Sequence, residues 1–352
     1  MGSQPTIMEQ EAREAPKIVA RQLQENLAVL KSLCERVSQV QPRFAVTIAR
    51  GSSDHACTYA KYLLETKLGL VTSSAAPSVI TTYCSDLKLG GALVIGVSQS
   101  GKSPYICEMM EAARSKGAIT VAITNHPVSP LAEAAEFVVP IWAGEEKAVA
   151  ATKSYLGSLS ALAQFVALLS HDEKLISALQ ELPESLSKAL KCDWSLALPQ
   201  LKEIERTFVI ARGYGYAIAQ EAALKFKETA SIQAEAFSSA EVLHGPFALI
   251  KRDHPFLLLT QNDRTLPGMI MLAKKIKNLG GVPIMAISQN LAFDNELADV
   301  LSLALPLPDS LHPILDPLMV IQAFYPMVAQ LAVLRGYDPD APANLQKVTE
   351  TR

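Results

Sequence analysis

The chain has 352 residues, of which 49% are hydrophobic and 19% charged, an ordinary composition for one large or two average globular domains. This composition excludes a long disordered chain. The 32 Lys and Arg residues against 35 Asp and Glu residues give a net charge of −3 without a basic block, so nucleic acid is not an expected partner. The five cysteines include no CxxC pair, which argues against a disulfide framework or a Cys-based zinc site and favours a reducing, cytoplasmic compartment.

The chain begins with a segment that lacks the positive start and apolar core of a signal peptide, so export is not expected. A helix is predicted over about residues 9–38, ahead of the first strand. The longest apolar stretch starts at Leu315 and contains Asp316, two prolines and two glutamines, which a lone spanning helix would have to bury in lipid. It is therefore predicted to be a core helix, with no membrane as partner.

An internal repeat organises the sequence. When the chain is laid against itself, FAVTIARG, which ends at Gly51, matches TFVIARG, which ends at Gly213, and SQSGKS (98–103) matches TQNDRT (260–265). The first copy contains predicted strands at AVTIA, ALVIGV, ITVAIT and FVVPI and helices that begin at Asp54 and Pro104. Such alternation predicts a parallel sheet covered on both faces, so the fold class is α/β, with two similar α-β-α domains in tandem.

The two domains are predicted at residues 39–185 and 198–335, after an N-terminal helical segment at 1–38 and before a tail at 336–352. The boundary between the domains is polar and contains proline. The tail, GYDPDAPANLQKVTETR, is rich in Pro and Asp and has no apolar period, which by itself predicts a disordered end.

Two loops of the first copy have the composition of an anion site. Ligands of open parallel sheets sit at the carboxyl ends of strands, where the next loop enters a helix. Arg50–Ser53 follows the first predicted strand and Ser98–Ser103 the second, and Ser103 before Pro104 is typical of a helix N-cap. Serines that only cap helices are the alternative. Two such loops from adjacent strands favour a phosphate cradle of hydroxyls and helix amides.

The second of these loops also matches a nucleotide-binding motif. Gly96 to Ser103 fits the P-loop pattern G-x-x-x-x-G-K-[ST] between a strand and a helix. However, no apolar strand ends in the acidic residue that would hold Mg²⁺, and the loop follows the second strand of its unit. Its repeat partner TQNDRT has neither glycine. ATP or GTP is therefore not expected here.

The second copy contains a helix with charged residues at helical spacing. Glu221, Lys225 and Glu228 lie at i, i+4 and i+7 and share one face, a pattern that usually marks a solvated surface with ion pairs. His244 and a Gly-Pro turn follow soon enough for the histidine to return over this helix. A histidine and a carboxylate beside a phosphate cradle favour acid–base chemistry on a sugar phosphate. The other histidines lack metal-ligand spacing, so no metal is expected.

Taken together, these segments resemble the tandem sugar-isomerase (SIS) domain proteins, typified by the isomerase half of glucosamine-6-phosphate synthase. The resemblance covers nearly the whole chain. It is carried by ARGSS (49–53), SQSGKS (98–103), VAATK (149–153), EAALKFKE (221–228), AEAFSSAEVLHGP (234–246) and NLQK (344–347). The combination is specific, whereas no single motif would be.

The resemblance implies a role for each motif. It assigns phosphate binding to the first two motifs, through Ser52, Ser53, Ser98, Gln99, Ser100 and Ser103. It assigns contacts with the sugar hydroxyls to Val149 and Ala151, although the synthase usually has serine in place of Ala151. It makes Glu228 the base that moves a proton between C1 and C2. Glu221 and Lys225 would support ring opening.

Two further residues take their roles from the resemblance. His244 would open the sugar ring in the active site of the neighbouring subunit, which implies a homodimer. Lys347 corresponds to the lysine that forms a Schiff base with the ketose in the synthase, and the tail that carries it would close over the site.

The sequence also departs from the synthase. The synthase draws ammonia from glutamine with an N-terminal glutaminase domain whose nucleophile is a cysteine, whereas this chain starts with Met-Gly-Ser and leads directly into the first sugar domain. The bare tandem therefore resembles the stand-alone SIS-type sugar-phosphate deaminases, and its SQSGKSP segment is nearer to theirs than to the corresponding segment of the synthase. The resemblance implies conversion of glucosamine 6-phosphate and water to fructose 6-phosphate and ammonia, in amino-sugar catabolism, without a cofactor.

Other functions share this chemistry. A plain aldose–ketose isomerase, a galactosamine-phosphate or N-acetylated sugar-phosphate deaminase, and a fructosamine-type deglycase are alternatives that the sequence does not separate. A non-enzymatic sugar-phosphate sensor is a further alternative. Sensors of this kind often carry a DNA-binding domain and would not need Glu228, His244 and Lys347 together.

Overall fold

The computed structural model describes residues 4–288 and 299–347. The chain forms two compact units. The N-terminal sheet unit comprises residues 17–146, 153–180 and the tail from Gln346. The C-terminal sheet unit comprises the chain up to Pro16 together with residues 147–152 and 181–345.

A five-stranded parallel sheet forms the centre of the N-terminal sheet unit. Its strands, in the spatial order β2-β1-β3-β4-β5, are β1 (Ala45–Ile48), β2 (Thr72–Ser74), β3 (Leu93–Ser98), β4 (Ile119–Thr124) and β5 (Phe137–Pro140). Strands β1, β3 and β4 are buried along their whole length, as expected of apolar strands in a sheet covered on both faces.

Helices connect and cover these strands. They are α2 (Leu27–Val40), α3 (Ser52–Leu68), α4 (Ser78–Thr81), α5 (Pro104–Ser115), α6 (Pro130–Ala134) and α7 (Lys153–Leu169), with parts of α1 (Ile7–Glu25) and α8 (Glu173–Ala189). Met109 and Met110 of α5 pack with Val94 of β3 in one apolar cluster. The apolar face of α5 therefore fixes the helix against the strand that precedes it.

The C-terminal sheet unit repeats this arrangement. Its parallel strands, in the order β10-β9-β8-β6-β7, are β6 (Arg206–Ala211), β7 (Gln233–Ser238), β8 (Pro255–Leu259), β9 (Val282–Ser288) and β10 (Leu303–Leu307). Its helices include α9 (Leu198–Leu201), α10 (Tyr216–Ala230), α11 (Leu266–Asn278) and α12 (Asp316–Leu334). In each copy the second strand is at one edge and the first strand pairs with the third. The shared strand order confirms the predicted tandem α/β fold.

Three local predictions differ from the structure. The predicted N-terminal helix is two helices, α1 and α2, divided at Asn26, whose buried side chain donates to the Pro140 carbonyl at 2.9 Å. Helix α3 begins at Ser52 rather than Asp54, because Gly51 has a φ of 57° and turns the chain directly into the helix. The edge strands β2 and β7 were not predicted, since TSS is wholly polar and three of the six residues of QAEAFS are polar.

Helix α12 is the longest apolar segment. Among the described residues it alone is long and apolar enough to cross a membrane, but 78% of its most apolar window is buried inside the protein. Phe324 of α12 packs edge-on against Phe226 of α10, with ring centroids 5.2 Å apart. The prediction of a core helix is confirmed.

Candidate active site

The N-terminal sheet unit places two polar loops at adjacent strand ends. Strands β1 and β3 are neighbours, and the chain leaves β1 toward β2 on one side and β3 toward β4 on the other. Ligands of open parallel sheets bind at such a switch point, outside the carboxyl ends of the strands. The loop that ends at Ser53 follows β1, and Ser98–Ser103 begins at the end of β3. The two segments predicted to bind phosphate are therefore brought together.

Both loops lead into helix N-termini. Ser52 and Ser53 lie in the first turn of α3, and Ser103 is the extended N-cap residue of α5, followed by Pro104. The first N–H groups of a helix have no partner within the helix and lie at the positive end of its dipole. These termini can therefore bind an anion without requiring Lys or Arg.

The Ser98–Ser103 loop is folded tightly on itself. Ser98 Oγ accepts a hydrogen bond from the Gly101 N–H at 3.1 Å, and Ser100 Oγ accepts one from the Lys102 N–H at 3.3 Å. Gly101 has a φ of 65°, and a Cβ atom there would lie 2.3 Å from Ser129 Oγ, so a larger residue would not fit. Each serine hydroxyl retains its own proton for donation to a phosphate oxygen.

An open cavity of ≈470 Å³ lies beside this loop. Its lining residues are Gln99, Ser100, Lys102, Asn125, His126, Gly144, Glu145, Glu146 and Lys347. Lys347, predicted from the tail motif, thus shares a cavity with two of the predicted phosphate-binding residues. Asn125 links the end of β4 to the 143–144 segment of the cavity lining, because its side chain donates to the Gly144 carbonyl at 2.7 Å and accepts from the Ala143 N–H at 2.8 Å.

Asn125, His126 and Glu146 were missed as site residues at the level of sequence. Asn125 and His126 directly follow β4, so the strand-end rule that identified the first two loops also applies to them. Glu146 carried no such signal, because its partner Lys347 is 201 positions away and only the fold brings the two together.

The Glu146 side chain is fully buried, and Lys347 is its charged partner. Lys347 Nζ lies 2.8 Å from Glu146 Oε2. Glu146 also accepts hydrogen bonds from the Ser154 N–H at 3.1 Å and the Ser154 hydroxyl at 2.7 Å, in the first turn of α7. These donors compensate the loss of water around a buried carboxylate.

The tail has a defined structure up to Lys347, so the disorder predicted from composition is wrong for residues 336–347, and the rest of that prediction lies outside the described residues. The Asp340 carboxylate accepts hydrogen bonds from the N–H groups of Ile7 at 2.8 Å and Met8 at 2.7 Å, in the first turn of α1. The tail is held by single polar contacts, which need no repeating pattern of apolar residues. The sequence of the tail therefore gave no sign of them.

The residues predicted to contact the sugar lie in the 147–152 loop of the C-terminal sheet unit. Val149 and Ala151 are half-buried. The Val149 N–H donates to the Asp340 carbonyl at 3.0 Å, so the loop and the tail are joined directly. Ala151 has no polar side-chain atom, so a sugar hydroxyl could hydrogen-bond only with its backbone.

In the same unit, Lys225 lies between two glutamates of α10. Its Nζ is 3.1 Å from Glu221 Oε1 and 2.6 Å from Glu228 Oε2. The side chains of Glu221 and Lys225 are 0% and 1% exposed, whereas that of Glu228 is 21% exposed. Burial opposes the charge of Lys225, but the carboxylates of Glu221 and Glu228 outweigh it and raise the pKa of Lys225. The shared face is therefore a buried charge cluster and not a solvated surface.

This cluster presents one carboxylate edge to the surface. Glu221 accepts a hydrogen bond from the Tyr325 hydroxyl at 3.4 Å and is engaged inside the protein. Glu228 keeps an exposed edge beside the Lys225 ammonium. A carboxylate fixed in this way can act as a general base.

His244 is the last residue of a short 3₁₀ helix, Glu241–His244, and its side chain is exposed. Within residues 4–288 and 299–347, no hydrogen bond links it to α10. Its role in ring opening therefore stays a prediction.

Carboxylates bind the switch-point loop of the second copy, one from the loop itself (Asp263) and one from the start of α12 (Asp316). Asp263 accepts hydrogen bonds from the Thr265 N–H at 2.7 Å and the Thr265 hydroxyl at 2.6 Å, and Asp316 accepts one from the Asn262 N–H at 2.7 Å. The cavity beside them is only ≈20 Å³, room for about one water. Because carboxylates already engage these donors, the described part of this loop is not a second candidate for phosphate binding.

The polar groups described in the N-terminal sheet unit suit a phosphorylated organic ligand, and those described in the C-terminal sheet unit suit proton transfer. Among the described residues, no three His, Cys, Asp or Glu side chains converge as metal ligands would. The predicted phosphate-binding residues and Lys347 belong to the N-terminal sheet unit, and the acid–base residues to the C-terminal sheet unit.

Comparisons with known proteins match this architecture. The SIS domain family model matches residues 41–168 and 200–333. The glutamine–fructose-6-phosphate aminotransferase (isomerizing) of Thermococcus kodakarensis is 30% identical over 354 residues, covering 97% of this chain and 58% of the relative. The chain thus spans less than two thirds of that relative.

Solved structures show the same similarity. A protein of Silicibacter pomeroyi DSS-3 that is provisionally named a phosphosugar isomerase is 38% identical with a TM-score of 0.87, covering 95% of this chain and 100% of that chain. The C-terminal domain of glucosamine-fructose-6-phosphate aminotransferase from Francisella tularensis is 27% identical with a TM-score of 0.85, covering 97% of this chain and 99% of that chain. The glucosamine-6-phosphate deaminase of Thermotoga maritima shares the fold, at 19% identity and a TM-score of 0.70. The match covers 96% of this chain and 100% of that chain.

The two matched segments contain the strands of the two sheets. Relatives that match along nearly the whole chain are named as enzymes, which indicates that this chain is an enzyme as well. The resemblance found in the sequence motifs is confirmed: the chain belongs to the SIS domain family and contains two SIS domains in tandem.

Proposed function

We propose that this protein is a hexosamine-phosphate deaminase, which converts glucosamine 6-phosphate and water to fructose 6-phosphate and ammonia. The observation that carries the proposal is the buried cluster of Glu221, Lys225 and Glu228, from which only the Glu228 carboxylate reaches the surface. A fixed carboxylate of this kind is the base that a proton shift between C2 and C1 requires.

Substrate binding would begin with the phosphate. The hydroxyls and helix N-termini at Ser52, Ser53, Ser98, Ser100 and Ser103 offer donors for its oxygens. Gln99 would add a side-chain contact. Fixing the phosphate holds one end of the open-chain sugar, while the backbone around Val149 and Ala151 would bind its hydroxyls.

The proposed reaction then follows four steps. His244 assists opening of the sugar ring. Glu228 removes the proton from C2 and delivers it to C1, so the C1 aldehyde becomes an alcohol and C2 becomes an imine carbon. Water adds to C2, and ammonia leaves as the C2 ketone forms. One water enters for each ammonia released, so atoms and charges balance.

Lys347 would act on the same substrate from the cavity that Gln99 and Ser100 line. Its Nζ is held by Glu146, whose other contacts fix it to the start of α7. In that position a protonated Lys347 would attract the anionic substrate, and its amine form would be the Schiff-base nucleophile that the family resemblance implies.

A sugar-phosphate aldose–ketose isomerase is the second candidate. The observation in its favour is the provisional name of the Silicibacter pomeroyi protein, which is 38% identical to this chain. Both reactions use the proton shift between C2 and C1. They differ in whether C2 carries an amino group that is later lost.

The test is to give purified protein glucosamine 6-phosphate and to measure ammonia and fructose 6-phosphate. Release of both in equal amounts supports the deaminase. Interconversion of fructose 6-phosphate and glucose 6-phosphate, without ammonia from glucosamine 6-phosphate or galactosamine 6-phosphate, would favour the isomerase instead. Absence of all these reactions would reject both candidates.

The proposed active form is a homodimer in which His244 serves the site of the partner subunit. The residues around His244 support this arrangement, because Leu243 and Leu249 are 43% and 55% exposed. Apolar side chains grouped on a surface are typical of a region that another protein covers.

A further inference from the structure

Three consecutive backbone N–H groups at the start of the 147–152 loop are bound by acceptors from outside the loop. The Lys147 N–H donates to Glu11 Oε1 at 2.5 Å, and the Ala148 N–H donates to Glu11 Oε2 at 3.2 Å. The Val149 N–H donates to the Asp340 carbonyl. Glu11 is only 5% exposed, so its carboxylate is engaged inside the protein.

Glu11 lies on α1, and this end of the helix is itself fixed. The Asp340 carboxylate binds the first N–H groups of α1. Gln322 of α12 donates to the Ala12 carbonyl at 2.9 Å. Within the C-terminal sheet unit, the start of α1, the 147–152 loop and the tail therefore form one hydrogen-bonded cluster, to which Glu11 contributes two bonds.

We propose that Glu11 is a positioning residue for the sugar end of the substrate. It does not touch the substrate and acts through the loop. With three successive N–H groups bound to Glu11 and Asp340, the three peptide planes that lead up to Val149 are fixed before the sugar arrives, which lowers the cost of ordering the loop on binding. This inference rests on the proposed function, in which Val149 and Ala151 contact the sugar hydroxyls.

The role requires a carboxylate. Each Glu11 oxygen accepts one N–H, and hydrogen bonds to an ionised acceptor are shorter and stronger than neutral ones. A glutamine has one acceptor and one donor group at the same place. Glu11→Gln would therefore set an amide N–H against a backbone N–H and lose one of the two bonds, while it keeps the size of the side chain.

The experiment compares two ligands that report on different ends of the substrate. Inorganic phosphate needs only the phosphate-binding residues, whereas glucosamine 6-phosphate also needs the loop. Calorimetry gives both dissociation constants for the full chain as wild type, Glu11→Gln, Glu11→Ala and Glu25→Gln, each carrying Glu228→Gln to prevent turnover. Glu25 is an exposed carboxylate on the same helix as Glu11. We expect the Glu11 variants to bind glucosamine 6-phosphate about tenfold to a hundredfold more weakly, with phosphate affinity unchanged and Glu25→Gln like wild type.

Several outcomes would overturn the positioning role. These are an unchanged affinity for glucosamine 6-phosphate in Glu11→Gln, an equal loss for both ligands, or a wild type that binds neither. If Glu11→Ala does not fold, the ratio of the two constants in Glu11→Gln decides. Because Glu228→Gln prevents turnover during the binding measurement, a protein that binds glucosamine 6-phosphate there but releases no ammonia when Glu228 is intact would contradict the deaminase alone.

Discussion

Lys347 Nζ lies 2.8 Å from the carboxylate of Glu146, whose own side chain is 0% exposed. Ser154 binds the same carboxylate through its N–H and its hydroxyl, so the acceptor is fixed at the start of α7. In the N-terminal sheet unit, the end of the tail is thus held by a charge that the fold has already positioned. Its attachment should therefore depend on Glu146.

Glu146→Gln should loosen the tail. Lys347 is 24% exposed, so loss of the ion pair should lower the free energy that separates the attached tail from a detached, open tail by about 1–2 kcal/mol, less than for a fully buried pair. That free energy corresponds to about a tenfold larger open population. The rate of tryptic cleavage after Lys347, followed by mass spectrometry, should rise by this factor. Glu108→Gln, an exposed carboxylate on α5, is the control, and equal rates in the two variants would contradict the prediction.

Glu228→Gln should stop the proton shift and leave binding intact. The amide keeps the size of the side chain but cannot accept the C2 proton, so kcat should fall about 10²–10⁴-fold. Exchange of the C2 hydrogen in deuterated water, measured by NMR, should fall with ammonia release, while the affinity for glucosamine 6-phosphate is unchanged. Glu235→Gln, exposed on β7, is the matched control. A normal rate of exchange in Glu228→Gln would mean that another group is the base.

Lys225→Met should destabilise the C-terminal sheet unit. It leaves Glu221, which is 0% exposed, beside Glu228 without their shared positive charge. An uncompensated buried charge costs about 3–5 kcal/mol. The double variant Lys225→Met/Glu221→Gln should recover part of this loss, because it removes one of the two like charges. Urea unfolding at neutral pH gives the unfolding free energy of the single and the double variant. Equal losses of unfolding free energy in the two variants would contradict coupling in the cluster.

Mixed subunits test the proposed contribution of His244 to the partner's site. A dimer of one His244→Ala and one Glu228→Gln subunit would have one site with both residues intact. After equal mixing and subunit exchange, about a quarter of the wild-type ammonia release should return, because half of the dimers are mixed and each has one complete site. Each variant alone gives the baseline. If both residues act within one subunit, mixing restores nothing.

Features that depend on neighbouring residues in sequence were predictable, and those that depend on distant partners were not. The buried strands β1, β3 and β4 are apolar runs, and the helix start at Pro104 follows from the serine and proline there, whereas the start of α3 at Ser52 was predicted two residues too late. Strand β2 has three residues of which one is buried, too few for a periodic pattern.

The same division applies to the candidate site. The spacing of Glu221, Lys225 and Glu228 gave their shared helix face, but their burial depends on α12, which packs on α10 from far along the chain. Spacing within one helix cannot reveal such a neighbour. The anchoring of the tail by Asp340 was hidden for the same reason, because its partners are at the other end of the sequence.

The buried carboxyl of Asp316 should make the C-terminal sheet unit less stable as the pH rises. Burial raises the pKa of Asp316 from 3.8 to about 6, and hydrogen bonds from the Asn262 N–H and the Ser310 hydroxyl offset this only in part. A group that binds its proton more tightly when folded stabilises the folded state at low pH. This contribution is fully present below about pH 4 and is lost as the pH rises through about 6.

Asp316→Asn removes this titration and keeps an oxygen that can accept the Asn262 N–H. Relative to the variant, the wild type should therefore gain about 2 kcal/mol of unfolding free energy between pH 7.5 and pH 4.5. The two tryptophans lie in different units, so urea unfolding followed by Trp194 fluorescence in a Trp142→Phe background reports on the C-terminal sheet unit alone. Asp299→Asn, an exposed carboxylate, should show no such pH-dependent difference. A constant difference between wild type and Asp316→Asn across this range would mean that Asp316 does not titrate there, because only a proton bound more tightly in the folded state produces the predicted sign.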